Sequence, residues 1–218
     1  MPYLDCLEIE PNKAANSAII WLHGLGADGH DFAPLVPQLR LPEGISPRFV
    51  FPHAPVMPVT INNGYVMPAW YDIVEMTIDR RVDEAQLCAS ADAIADLIDR
   101  EIERGIDSRH IVLAGFSQGG AVAYQTALTY PKPLAGLIAL STYFATSQSI
   151  QPNPANQHLP ILIQHGTRDP IVPEVLGQRA NQLLTQRGHQ TTYQSYPMEH
   201  SVCPQQVEDI SRWLGDRF

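Results

Sequence analysis

Residues 115–119 read Gly-Phe-Ser-Gln-Gly, and they fall where an apolar run, Ile111-Val-Leu-Ala114, gives way to a helical pattern over 118–129. This segment fits G-x-S-x-G, a strand-to-helix turn so tight that its serine takes a strained backbone conformation. Side chains at the two glycine positions would strike neighbouring elements, and Gly120 with Ala121 carries the same close packing into the helix. No other feature of the chain restricts its fold as much, because the turn needs a buried strand behind it and a packed helix ahead. The geometry also sets Ser117 at a helix N-terminus, where unpaired N–H groups and the helix dipole favour a developing oxyanion. The backbone N–H of Gln118 is one expected donor. The competing reading is a serine that merely caps a helix after a glycine turn.

The rest of the chain supplies the sheet that such a turn requires. Ser17–Leu22 (SAIIWL) and residues 48–51 (RFVF) are bounded by glycine or proline, and 111–114, 137–140 and 161–163 are continuous apolar runs. Strands covered by helices on both faces read this way. Residues 3–9 and 191–196 alternate more and are expected at sheet edges. Leu87, Ala91, Ile94, Ile98 and Ile102 recur at steps of three or four, which predicts one apolar stripe on a helix near 80–104. Further helices are expected at 31–39, 174–187 and 204–214. This alternation predicts an α/β fold with a mostly parallel central sheet, helices on both faces and no large cap domain. With 218 residues, 44% hydrophobic and 17% charged, one core and a single domain over 1–218 are expected. Two aperiodic stretches, 55–72 and 142–160, are candidate walls of a binding site.

Serine is a weak nucleophile until an imidazole takes its proton, and behind this kind of turn the partners follow in the order acid, then histidine. His200 lies in Pro197-Met-Glu-His-Ser201, between the strand at 191–196 and the last helix, where the base belongs. Asp169 follows the strand at 161–163 in His165-Gly-Thr-Arg-Asp-Pro170 and is expected to orient that base. The alternative for Asp169 is an N-cap of the helix that starts near Glu174, and His165 reads as a packed structural residue. In this assignment Asp169 fixes the imidazole tautomer without accepting the proton.

After the first core strand, His23-Gly-Leu-Gly26 matches the glycine-rich loop that lends a second N–H to an oxyanion, with Leu25 as the expected donor. Gly24-Leu-Gly-Ala-Asp-Gly29 also fits the dinucleotide fingerprint G-x-G-x-x-G. That reading needs an acidic residue about 20 positions later, at the end of the next strand, where Pro52-His53 stands instead. No phosphate loop and no H-E-x-x-H spacing occurs, so neither a cofactor nor a metal is expected.

A formal charge of −9 argues against a nucleic-acid partner, and the chain contains no apolar run of the roughly 20 residues that span a bilayer. The N-terminal residues lack the pattern of a secretory leader, so a cytoplasmic location is expected. Cys6, Cys88 and Cys203 are too few and too scattered for a disulfide framework and read as thiols.

Taken together, His23-Gly-Leu-Gly-Ala-Asp-Gly-His30, Phe51-Pro-His-Ala-Pro-Val56, Met67-Pro-Ala-Trp-Tyr-Asp72, Gly115-Phe-Ser-Gln-Gly-Gly120, His165-Gly-Thr-Arg-Asp-Pro-Ile-Val-Pro173 and Glu199-His200 resemble the bacterial carboxylesterase and acyl-protein thioesterase family. The resemblance covers nearly the whole chain. It implies an α/β-hydrolase fold, a catalytic triad of Ser117, Asp169 and His200, an oxyanion hole of Leu25 and Gln118, no cofactor, and hydrolysis of esters and thioesters on small molecules or acylated proteins. It further suggests an apolar acyl groove at which Leu25, Met67, Trp70, Tyr143, Ile171 and Leu176 lie, and a homodimer able to cover it. Tyr143 departs from the eukaryotic thioesterases, which usually carry tryptophan there. A peptidase or lactonase on the same fold, or a catalytically silent binding module, are the rival expectations.

Overall fold

The computed structural model describes residues 3–218. In chain order its elements are β1 (Cys6–Ile9), β2 (Ser17–Leu22), β3 (Pro47–Pro52), β4 (Val56–Val59), β5 (Tyr65–Pro68), β6 (Ile73–Glu75), β7 (Arg81–Val82), α1 (Glu84–Glu103), β8 (Ile111–Phe116), α2 (Gln118–Thr129), β9 (Gly136–Leu140), β10 (Pro160–Gly166), α3 (Glu174–Gln186), β11 (Gln190–Tyr196) and α4 (Pro204–Gly215).

Seven strands form one sheet in the order β1-β3-β2-β8-β9-β10-β11, and only β1 runs antiparallel to its neighbour. β2, β8, β9 and β10 are buried almost throughout because helices cover both faces. Side chains alternate across the sheet. Ile20, Leu22, Leu113 and Ile163 pack against Leu87 and Ile94 of α1, Tyr124 of α2 and Leu184 of α3. Ile19, Trp21, Val112 and Leu162 face the opposite way, toward Ile210 and Leu214 of α4. This is the α/β-hydrolase arrangement. From β2 the chain moves outward to β3 and then returns to β8 on β2's other side, so the carboxyl ends of β2 and β8 meet at a switch point, where crevices form in open sheets.

The helix expected at 31–39 is a short 3-10 segment, Ala33–Gln38. Pro34 and Pro37 lack the N–H groups that an α-helix there would need. The helix expected from residue 80 starts at Glu84, where the Asp83 side chain accepts from the Gln86 N–H at 3.0 Å. Residues 81–82 pair instead with β6. Within 55–72, read as irregular, β4 and β5 form an antiparallel hairpin.

Candidate active site

β8 ends at Phe116 and α2 begins at Gln118, so Ser117 alone makes the turn, at φ 53° and ψ −120°. A non-glycine residue persists at such angles only where its surroundings over-determine it. The Ser117 N–H donates to the Leu140 carbonyl at 2.9 Å, and its own carbonyl accepts from Thr142 Oγ1 at 2.5 Å. A Cβ on Gly115 would lie 2.5 Å from the Gly119 carbonyl oxygen, and one on Gly119 would lie 2.5 Å from that of His23. The Ser117 side chain makes no capping bond to α2. Its hydroxyl is left for other work, which answers the helix-cap alternative.

Asp169 sits just past β10 with its carboxylate buried. One oxygen accepts from the N–H groups of Ile171 (2.9 Å) and Val172 (2.8 Å), and the other takes His200 Nδ1 at 2.7 Å. A carboxylate only accepts, so Nδ1 carries the proton and Nε2 is free to act as a base. Pro173, not Asp169, is the N-cap residue of α3. Burial pushes the Asp169 pKa up, but the hydrogen bonds from His200, Val172 and Ile171 together outweigh it and hold the carboxyl below its ordinary value. Phe116 packs against the His200 ring at 4.6 Å between centroids. Ser117 and His200 line the same cavity without a hydrogen bond between them, a contact that commonly tightens only when substrate binds.

The Leu25 and Gln118 backbone N–H groups find no protein acceptor among the described residues. Both residues line the cavity beside Ser117. The loop that carries Leu25 is fastened from behind. His23 Nδ1 donates to the Gly24 carbonyl at 2.7 Å, and its Nε2 accepts from the Ala54 N–H at 3.1 Å. Burial lowers the His23 pKa and so favours this neutral form. The Gln118 side chain accepts from the Trp70 N–H and donates to the Tyr71 carbonyl, at 2.9 and 2.7 Å. Further along the loop, Asp28, His30 and His53 have potential ligand atoms within 4.8 Å of one another. All three residues are already engaged, His53 Nδ1 by the Gly29 N–H at 3.1 Å and His30 Nδ1 with Asp28 Oδ1 at 3.0 Å. They brace the loop.

The cavity measures about 330 Å³. Of the six groove candidates, Leu25, Tyr143 and Ile171 line it, and Met67, Trp70 and Leu176 do not. Trp70 is fully buried behind the loop and donates Nε1–H to the His23 carbonyl at 2.9 Å. Met67 lies beside Gly26 and accepts from Asn62 Nδ2 at 3.4 Å. Leu176 lines a separate cavity beyond Tyr143. Sequence reasoning missed Ile61, Ile73, Met76 and Arg80, which complete the walls. Ile61 falls in the 55–72 stretch marked as a candidate wall, though not as a residue; Ile73 and Met76 lie just past it, and Arg80 stands at the edge of the expected helix, so no pattern singles them out.

A strained elbow serine, a carboxylate-bound histidine and two free N–H groups at the carboxyl edge of this sheet define a serine hydrolase of the α/β class. The Phospholipase/Carboxylesterase family model matches residues 4–216. The chain belongs to that family and is a hydrolase of carboxylic esters. It is 39% identical over 220 residues to acyl-protein thioesterase 1 of Neurospora crassa, covering 95% of this chain and 90% of the relative. Against acyl-protein thioesterase 1 of Cryptococcus neoformans the identity is 36% over 233 residues, covering 97% and 96%. Among solved structures, that of SOBER1 from Arabidopsis thaliana superposes with a TM-score of 0.86 at 32% identity, covering 93% of this chain and 99% of that one. Among the described residues, no helix is long and apolar enough to cross a membrane.

Proposed function

We propose that Ser117, His200 and Asp169 are the triad of a hydrolase that cleaves acyl thioesters as well as oxygen esters. The observation that carries this reading is the opening of Ser117 and His200 on one cavity, with Asp169 holding His200 from behind. His200 Nε2 takes the hydroxyl proton as Ser117 attacks the carbonyl carbon, and the oxyanion forms against the Leu25 and Gln118 N–H groups. His200 then returns the proton to the departing alcohol or thiol. Water, activated by the same imidazole, releases the acid from the acyl-enzyme. No cofactor enters these steps.

The substrates are small-molecule esters or acylated proteins. Similarity over nearly the full length to two acyl-protein thioesterases supports the thioester branch. The reading includes a single-domain protein resident in the cytoplasm. It also includes self-association, supported by Val56, Tyr65 and Val66, which the β4–β5 hairpin exposes. The test is steady-state hydrolysis of p-nitrophenyl esters and of a palmitoyl-cysteine peptide by wild type and Ser117→Ala. Turnover of both substrates that disappears in the variant is the expected result. Undiminished turnover by Ser117→Ala would overturn the nucleophile assignment, and a peptide left intact by wild type would remove the thioester branch.

A further inference from the structure

Two side chains that line the catalytic cavity, Tyr143 and Arg80, also line a second cavity of about 410 Å³. Ile78, Phe144, Leu176 and Leu183 line it, and so do Asp79, Ser147, Gln148 and Arg179. The two shared side chains are held differently. Tyr143 is buried, with its hydroxyl 2.7 Å from that of Tyr71. Arg80 stands on the short connection between β6 and β7, its guanidinium carbon 4.8 Å from the centre of the Tyr143 ring and its Nη2 donating to the Ile171 carbonyl. Neighbouring Asp79 faces Arg179 at 3.7 Å, and among the described residues Arg80 has no carboxylate partner. Its Nε is buried without a hydrogen-bond acceptor. Among the described residues this arginine therefore serves no ion pair, and its contacts hold it at the wall that the two cavities share.

Resting on the esterase reading above, we propose that Arg80 is the partition that ends the acyl-binding cavity and sets the acyl chain length the enzyme accepts. A chain whose carbonyl lies against Leu25 and Gln118 runs toward Tyr143 and stops at the arginine. Leu176, on the far side, is then out of reach of a wild-type substrate. Truncating Arg80 joins the two cavities and lets longer chains continue past Phe144 toward Leu183. Replacing it with a side chain of similar length and no charge keeps the passage closed.

The test is kcat/KM on p-nitrophenyl esters from acetate to palmitate, expressed as ratios along the series so that changes common to all lengths cancel. Each buried methylene raises kcat/KM by about fourfold. In wild type that rise stops at a definite length. In Arg80→Ala it continues for further carbons, so the ratio of long to short esters grows by about tenfold or more, while Arg80→Met keeps the wild-type break. Leu183→Trp leaves the wild-type profile in place and restores the early break in the Arg80→Ala background. An unmoved break in Arg80→Ala would overturn the proposal, as would an Arg80→Met profile that moves as far as Arg80→Ala, which would assign the limit to charge. Should Arg80→Ala not fold, Leu183→Trp alone decides: a shortened break in the wild-type background means that substrate already occupies the second cavity. Failure of the underlying esterase reading is distinct, because wild type would then hydrolyse none of the series.

Discussion

His200 turns one nitrogen to Asp169, so the identity of residue 169 decides which nitrogen carries the proton. Asp169→Asn offers an amide donor to Nδ1 and selects the wrong tautomer. A loss of about 10⁴ in kcat with little change in KM is expected from stopped-flow and steady-state assays. The same carboxylate contributes to stability with a defined pH sense. Its pKa is lowered in the folded state, so the contribution is complete above the unfolded value of about 4 and disappears as pH falls through the folded one. Urea titrations of wild type and Asp169→Asn should therefore differ most near neutrality and converge in acid. The candidate triad is legible in the sequence because this fold, unlike acyl transfer in general, sets the order of nucleophile, acid and base along the chain. His23 and Thr142 brace the site through contacts between segments distant in sequence, and no local pattern announces such contacts.

At the scale of elements, the elbow depends on how closely α2 approaches β2. A Cβ on Gly119 would meet the His23 carbonyl oxygen at 2.5 Å and Leu22 Cβ at 2.7 Å, and the buried backbone there has little room to yield. Gly119→Ala should cost at least the ~1–3 kcal/mol typical of overpacking, read as a lowered urea midpoint, and should also displace the oxyanion loop. Strands β2, β8, β9 and β10 are legible because burial on both faces leaves unbroken apolar runs. The β4–β5 hairpin is not, because Pro58 and Pro68 interrupt its alternation. The available signal was Asn63-Gly64, both residues at positive φ in the connecting turn, a pair that favours tight hairpins.

Across the whole molecule, a charge cluster joins the antiparallel edge to the longest helix. Glu101, fully buried on α1, meets Arg48 of β3 at 2.6 Å, Arg104 at 3.0 Å and Arg100 at 3.2 Å, while Glu8 and Glu10 cover the outer side. Glu101→Ala takes from the poorly exposed Arg48 one of its two carboxylate partners, Glu10 remaining at 2.7 Å, and should cost roughly 1–3 kcal/mol in chemical denaturation. Because the cluster sits away from the catalytic edge, kcat/KM of the folded fraction should stay at the wild-type value, so the two measurements separate stability from catalysis. That ionic cluster escapes sequence reading, since its members come from three segments and charges alone have no period.

The sheet order also bears on the birth of the enzyme. Ser117 follows the central strand β8, whereas Asp169 and His200 follow β10 and β11, the last two strands to be added at one edge. In the proposed triad a growing chain on the ribosome carries its nucleophile long before its base, and domains of this kind mature as units. With that triad, an unfinished chain lacks acid and base and hydrolyses no ester. Ester turnover accordingly reports complete synthesis and closure of the final edge, which makes it a natural readout for quality control of this protein.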